Sequence, residues 1–497
     1  MPEIVPRWEW RTFGDRFGEA DAAFAALTPG GVQESDELYL LSGAGDNVKV
    51  RDDLMDIKVL KSIDGAGLER WTPVMKAGFP LPADDVRRVF EALRLPSPTL
   101  ARDAYPLDAF VDELARPAGV RPVAVHKRRV RYTVGGCAAE VSEIRADGHP
   151  IRTIAIESPD ADAVLAAVRS VGLGDYLNTS YPKALSAILE GRPLRYAVID
   201  AGTNSIKFHI AERGADGAWH AVVDRAELTR LGEGLEEHGA ISDAALERTV
   251  DAIGGMVEEA KREGAVAIAA VGTAGFRIAR NSAAVVDAIR GRTGVSIDII
   301  SGEDESRLAY LAATTALQLG GAGALDVFDT GGGSTQFTFG HGTTVDERFS
   351  VDVGAVRYTE RFGLDTAVSE IVLGEALAAI AADLSRLDGR PTPDAVVAMG
   401  GAVTNITAVK HGLATYDPDV VQGTVLDRAE IDRQIELYRS RDTEARRMIV
   451  GLQPKRADVI LAGACIVRTV MDKLGRSAVT VSDRGLRHGV LVERFGD

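Results

Sequence analysis

At 497 residues, 45% hydrophobic and 26% charged, the chain is long enough for about three ordinary domains, and its composition excludes a disordered or fibrous protein. Its formal net charge of −16 excludes a broad nucleic-acid or anionic-membrane surface, because phosphate contacts need clustered Lys and Arg. Two distant cysteines, Cys137 and Cys465, exclude a disulfide scaffold. The sequence shows neither a signal-peptide core nor a run of about 18 apolar residues, which points to the cytoplasm.

Residues 1–190 are dominated by period-two alternation. Lys49 and Arg51 share one face, Asp56 and Lys58 another, and the basic run over 127–132 sets Arg129 and Arg131 side by side. Helical stretches over 83–95 and 161–171 interrupt the strands. Such alternation builds either a half-exposed antiparallel sheet with a solvated charged face, or a barrel whose charged face points inward and lines a tunnel for a polyphosphate chain.

Gly191-Arg192-Pro193 breaks this pattern and sets the main boundary. An apolar run, Tyr196 to Ile199, then leads into Asp200, Gly202, Thr203, Asn204 and Ser205. The offsets of Asp200, Gly202, Ser205, Phe208 and Ile210 recur 129 positions later in Asp329, Gly331, Ser334, Phe337 and Phe339. Between the two copies the pattern predicts a helix over 242–261 with Ser242 as N-cap, strands over 265–271 and 295–300, and a helix over 303–319. This alternation indicates a mostly parallel sheet with helices on both faces. A repeated strand–Asp–Gly-loop–strand unit implies two similar halves with a phosphate site in the cleft between them. Three successive glycines, Gly331, Gly332 and Gly333, leave backbone N–H groups bare for a phosphate, and an aspartate at the mouth is a hard-oxygen ligand of the kind Mg²⁺ takes. Taken singly, each loop also reads as an ordinary glycine hairpin.

The motifs Val198 to Ser205, Gly272 to Arg277, Ile300 to Leu308, Asp329 to Thr335, Met399 to Asn405, Arg456 to Gly463 and Val481 to Arg487 together resemble the exopolyphosphatase / guanosine pentaphosphate phosphohydrolase (Ppx/GppA) family in its short, two-lobed form. The resemblance implies a duplicated actin-like α/β domain of the ASKHA, ribonuclease H-like class, with lobes over 191–320 and 321–497. It implies Mg²⁺-dependent phosphoanhydride hydrolysis on inorganic polyphosphate or guanosine pentaphosphate (pppGpp). Glu305 falls on the family's catalytic glutamate and Arg277 on its phosphate-contacting arginine. Asp200 and Asp329 would hold the metal. Gly202, Thr203, Asn204, Ser205 and Lys207 from the first loop, with Gly331, Gly332, Gly333, Ser334 and Thr335 from the second, would contact phosphate. The plainer readings are a first-turn acid at Glu305 complementing its helix dipole, a surface Arg277, and turn-forming aspartates. Where the family usually has Ser-Thr-Glu this chain has Ser334-Thr335-Gln336, and His488 stands where Glu is common.

The strand order of residues 3–185 resembles the CYTH, or triphosphate tunnel, family, an α+β antiparallel barrel. The matching pieces include Glu9-Trp10-Arg11, the Lys49/Arg51 and Lys58 strands, Arg128 to Tyr132, Glu140/Glu143, Ile154 to Glu157 and Ser180-Tyr181. By that resemblance Glu9, Arg11, Lys49, Arg51, Lys58, Arg129 and Arg131 would line a polyphosphate tunnel. The family opens with Glu-x-Glu-x-Lys, but Glu9, Arg11 and Phe13 occupy those positions here, so weaker metal binding is expected, and either phosphate holding without hydrolysis or a structural remnant instead of a second hydrolase site. Two other classes stay open: a catalytically weakened polyphosphate or nucleotide sensor, and a kinase of the same superfamily. A homodimer also stays open.

Overall fold

The computed structural model describes residues 6–43, 46–64, 67–203, 205–214, 218–233, 235–321 and 323–496. The chain divides into two compact units, Met1–Ile299 with Arg494–Asp497, and Ile300–Glu493.

The first unit begins with a closed antiparallel barrel. Its eight strands are β1 (Arg7–Gly14), β2 (Gly31–Leu41), β3 (Asn47–Arg51), β4 (Leu54–Ile63), β5 (Glu69–Gly78), and, after the two-residue strands β6 (Leu81–Pro82) and β7 (Ala104–Tyr105), β8 (Arg121–Val134), β9 (Cys137–Ala146) and β10 (His149–Ser158). Their order is β1-β10-β9-β8-β2-β3-β4-β5, closed by Arg7↔Trp71 and Glu9↔Glu69 between β1 and β5. This is the architecture implied by the triphosphate tunnel resemblance. Alternation sorts the side chains: in β3, Val48 and Val50 turn outward into the apolar cluster of the helix Ala83–Ala92, with Val86, Val89 and Phe90, so Lys49 and Arg51 turn inward. Toward one end the interior is apolar, where Phe13, Tyr39, Leu41, Val123, Val125 and Ile144 pack with Tyr181 and Leu185 of the helix Tyr181–Leu189.

The same unit continues into a five-stranded sheet. Its strands are β11 (Arg195–Ala201), β12 (Ser205–Arg213), β13 (Trp219–Leu228), β14 (Ala265–Gly272) and β15 (Asp298–Ile299), ordered β13-β12-β11-β14-β15 with β11, β14 and β15 parallel. The helix Asp243–Arg262 forms as its sequence dictates. The Ser242 side chain accepts from the Ala245 amide at 3.3 Å, an apolar stripe through Val250, Ile253, Met256, Val257 and Ala260 is buried, and Lys261 and Arg262 complement the C-terminal dipole. The expected strand over 295–300 shrinks to Asp298–Ile299, because Val295 and Ile297 bury in the core without pairing, while Asp298 and Ile299 face Val271 and Gly272. Barrel and sheet are joined by backbone bonds, Leu177 N–H to Val266 C=O at 2.8 Å and Ile268 N–H to Asp175 C=O at 2.7 Å.

The second unit repeats the plan. Strands β16 (Ala324–Thr330), β17 (Thr335–His341), β18 (Thr344–Val351), β19 (Ala395–Met399), β20 (Val425–Asp427) and β21 (Ala478–Val481) are ordered β18-β17-β16-β19-β21-β20. Its first five positions match β13-β12-β11-β14-β15: a meander of three antiparallel strands, then parallel neighbours on the far side of the first strand. The helix Ile460–Lys473 is apolar nearly all round and is the centre of this unit's core. The expected helix over 303–319 runs Gly302–Ala316. Among the described residues no helix is long and apolar enough to cross a membrane.

Candidate functional site

The two glycine loops have the same internal geometry. In the first, the Gly202 amide donates to the Ser205 carbonyl at 3.1 Å; in the second, the Gly331 amide donates to the Ser334 carbonyl at 2.9 Å. A Cβ at Gly202 would come 2.8 Å from that carbonyl oxygen, so only glycine closes the first turn. The register repeats too: Asp200 faces Lys207, and Asp329 faces Gln336.

In the first unit Asp200, the penultimate residue of β11, is almost fully buried, and the Lys207 ammonium lies 3.4 Å from its carboxylate. Thr203 is wedged between glycines. Its carbonyl accepts from the Gly232 amide at 2.8 Å, and a Cβ on Gly275 would come 3.1 Å from its hydroxyl. The Thr273 amide donates to the Ala201 carbonyl at 3.3 Å, so the short helix Ala274–Ile278, which carries an exposed Arg277, starts beside the first loop. The structure thus brings Asp200, Gly202, Thr203, Ser205, Lys207 and Arg277 to the same end of the sheet. Asn204 lies outside the described residues.

In the second unit the glycine loop is clamped on a helix N-terminus. The Ala355 and Val356 amides donate to the Gly331 and Gly332 carbonyls at 3.0 and 2.9 Å, and a Cβ on Gly354 would strike the Gly332 carbonyl oxygen at 2.3 Å. The Thr335 hydroxyl is buried and donates to the Val353 carbonyl at 2.7 Å, which makes it a loop brace. Gln336 Nε2 donates to the Ser334 hydroxyl at 3.0 Å. Asp329 is half-buried against Gly400, whose φ is 100° and where a Cβ would come 2.6 Å from Asp329 Oδ1. Only glycine lets the backbone at 400 pack this closely against the carboxylate and the Thr330 carbonyl. The carboxylates of Asp200 and Asp329 are hard-oxygen donors of the kind a divalent cation takes.

Glu305 lies in the first turn of the helix Gly302–Ala316, which Ser301 caps by accepting from the Asp304 amide at 3.0 Å. The neighbouring acids are committed to structural partners, Glu303 to Arg348 and Asp304 to Ser301 and Arg307. Glu305 is half-buried. His488 is buried and accepts from the Gly485 amide through Nδ1 at 3.2 Å, a local turn contact.

The barrel encloses a second site, a cavity of about 400 Å³. Glu9, Arg11, Lys49, Arg51, Lys58, Arg129 and Arg131 all line it. So do Arg7, Lys127 and Tyr181, which the sequence reading did not single out as lining residues. Buried Glu37 was missed as well: its carboxylate takes Lys49 Nζ at 2.9 Å and Lys127 Nζ at 2.8 Å. Its only sequence signal was alternation with Tyr39 in β2. Burial alone would raise these carboxyls, but Lys127 and Lys49 hold Glu37 well below the usual carboxylate range, and Arg11 with Arg129 holds Glu140 at about 2.

A family model described as the Ppx/GppA phosphatase family matches residues 210–496. The crystal structure of the type II variant of the Aquifex aeolicus Ppx/GppA phosphatase is 30% identical with a TM-score of 0.57, over 61% of this chain and 99% of that one. "Exopolyphosphatase 2" of Mycobacterium tuberculosis is 28% identical over 326 residues, 61% of this chain and 99% of that protein. "Guanosine-5'-triphosphate,3'-diphosphate pyrophosphatase" of Vibrio cholerae is 30% identical over 304 residues, 61% of this chain and 59% of that protein. The chain spans between 46% and 59% of the length of several curated relatives that it matches.

Proposed function

Because this chain belongs to the Ppx/GppA phosphatase family, we propose that it is a phosphoanhydride hydrolase that releases the terminal phosphate of inorganic polyphosphate, with pppGpp as the second substrate of the same chemistry. The observation that carries this reading is the duplicated hairpin, which presents a carboxylate and a glycine turn of one geometry in both halves. In this mechanism Glu305 accepts a proton from water as its oxygen attacks the terminal phosphorus. The bond from that phosphorus to the bridging oxygen breaks, and the shortened chain leaves with the negative charge. Arg277 pairs with the transferring group in the planar, two-bond geometry that suits a guanidinium. Loop amides and hydroxyls from 202–205 and 331–335, with Lys207, hold the chain. Asp200 and Asp329 would bind Mg²⁺, which supplies charge neutralisation on the phosphoryl oxygens when bound.

Residues 1–190 are assigned to holding the polyanion, 191–320 and 321–497 to the two catalytic lobes. Gln336 favours a second reading, a phosphate sensor with weakened turnover, since an amide stands where a charged acceptor would help a cation. The deciding experiment measures phosphate release from long-chain polyphosphate and from pppGpp, with and without Mg²⁺, for the parent and Glu305→Gln. Metal-dependent release that falls about 10²- to 10⁴-fold in the variant supports the hydrolase. Binding without release from either substrate establishes the sensor instead.

A further inference from the structure

The barrel cavity carries a charge arrangement that the hydrolase reading does not use. Its lining holds eight basic side chains and four acidic ones, Glu9, Asp56, Glu140 and Glu157. Each of the four is already engaged. Arg11 donates from Nε to Glu9 at 2.8 Å and from Nη2 to Glu140 at 2.8 Å, Arg51 lies 3.8 Å from Asp56, and Arg7 lies 2.9 Å from Glu157. Arg129 Nε also approaches Glu140, at 3.0 Å.

A divalent cation needs carboxylate oxygens free to coordinate it. Here the guanidinium of Arg11, itself buried, bridges Glu9 and Glu140, the two acids on neighbouring β1 and β9 flanks of β10. A fixed positive charge therefore occupies the space between the carboxylates, and a metal ion does not fit this donor set. An anion does. Lys58 lines the cavity and makes no salt bridge among the described residues. The Tyr181 hydroxyl is buried without a hydrogen-bond partner, a cost that a phosphate oxygen would relieve. Tyr181 sits with Phe13 and Leu185 in the apolar plug, which closes the cavity at that end and favours a chain terminus over a chain threaded through.

We propose that the barrel cavity is a metal-independent, non-hydrolytic site for the end of a phosphoanhydride chain, in which Arg11 stands as a built-in cation between Glu9 and Glu140. This rests on the reading that residues 1–190 hold the substrate polyanion. Inorganic tripolyphosphate and a nucleoside triphosphate present the same terminal chemistry, and the plug favours the slimmer inorganic chain.

The test uses the full chain carrying Glu305→Gln and titrates tripolyphosphate, and in parallel ATP, by calorimetry in EDTA and in Mg²⁺. The same titrations are repeated with Arg51→Gln and Lys58→Gln added, two cavity residues less buried than Arg11. The expected result is tripolyphosphate binding that persists in EDTA, weakens about tenfold or more in the Arg51/Lys58 variant, and releases no phosphate in either buffer. Binding sensitive to that pair but present only with Mg²⁺ would overturn metal independence and leave the polyanion-holding role standing. Phosphate release that survives Glu305→Gln and is lost with the pair would overturn the non-hydrolytic assignment. Binding that ignores the pair in both buffers would remove the barrel's holding role and this proposal with it. Equal or tighter binding of ATP would reassign the ligand to a nucleotide.

Discussion

Lys207 and Gln336 hold the same place in two copies of one hairpin: Lys207 faces Asp200 across β11 and β12, and Gln336 faces Asp329 across β16 and β17. In the first copy the ammonium lies 3.4 Å from the aspartate and offsets its charge; in the second the amide instead donates to the Ser334 hydroxyl at 3.0 Å. The duplication has therefore diverged where it bears on charge. A carboxylate at 336 would add a negative hard-oxygen donor beside Asp329 and accept from Ser334 instead of donating to it. Gln336→Glu is expected to lower the Mg²⁺ concentration at half-maximal phosphate release by about tenfold, since ligand charge count sets the affinity of such sites. A Mg²⁺ titration of initial rates for parent and variant checks this, and an unchanged midpoint would place residue 336 outside the metal's reach.

The holding role proposed for the barrel is tested by point changes, because the bonds from Leu177 to Val266 and from Ile268 to Asp175 tie it into the first sheet and truncation would strip them. Arg51→Gln with Lys58→Gln is expected to raise KM for polyphosphate of hundreds of residues by about tenfold while leaving kcat intact, because holding one end of a long chain raises the effective concentration of the other. Tripolyphosphate, too short to be held and cleaved at once, should keep its KM. Equal rises for both lengths would refute tethering.

Asp175 links pH to the barrel junction. Burial, with Asp298 and Glu19 nearby, pushes its carboxyl up to about 6 despite Arg494 at 3.5 Å. The folded form thus binds the proton more tightly than the unfolded chain. Its stabilising contribution is complete below about pH 4 and is lost as pH rises to about 6, a difference of roughly 3 kcal/mol. Asp175→Asn is expected to be more stable than the parent at pH 7, with the gap closing toward pH 4. Urea midpoints at the two pH values measure it, and a gap that widens on acidification would reverse the sign of the coupling.

What was legible in the sequence was local. The Asp–Gly–Ser offsets sit between apolar runs, so the hairpins and their repetition could be read directly, and alternation put Lys49 with Arg51 and Arg129 with Arg131 on one face each, without deciding between a solvated sheet face and a barrel interior. Partners that depend on register between distant strands were not legible. Glu37 meets Lys127 because β2 pairs with β8, Tyr39 opposite Val123, and nothing within either strand announces it. Arg11 was visible as a departure, but its bridging of Glu9 and Glu140 needed the closed sheet. Val295 and Ile297 looked like strand residues because they are apolar and β-branched, a preference equally met by burial in a loop.

Asp326 is the case in which an apolar run hid a charge. It lies within Leu325-Asp326-Val327-Phe328 on β16, fully buried, with neither carboxylate oxygen hydrogen-bonded. Burial drives its carboxyl well above the usual range, only partly opposed by Arg390, whose guanidinium is engaged by Glu347 at 2.9 Å. The raised folded value means that the protonated form is favoured in the core. Asp326 therefore destabilises the second unit progressively as pH rises past the ordinary carboxylate range. Asp326→Val fits the strand and the space beside Phe339, its cross-strand neighbour. The substitution is expected to stabilise the protein by about 2 kcal/mol at pH 8, the order of cost of an uncompensated buried polar group, and by less at pH 5. Thermal melts of parent and variant at both pH values check this. A destabilised variant at pH 8 would mean that the carboxylate has a role in this core which its unbonded oxygens do not reveal.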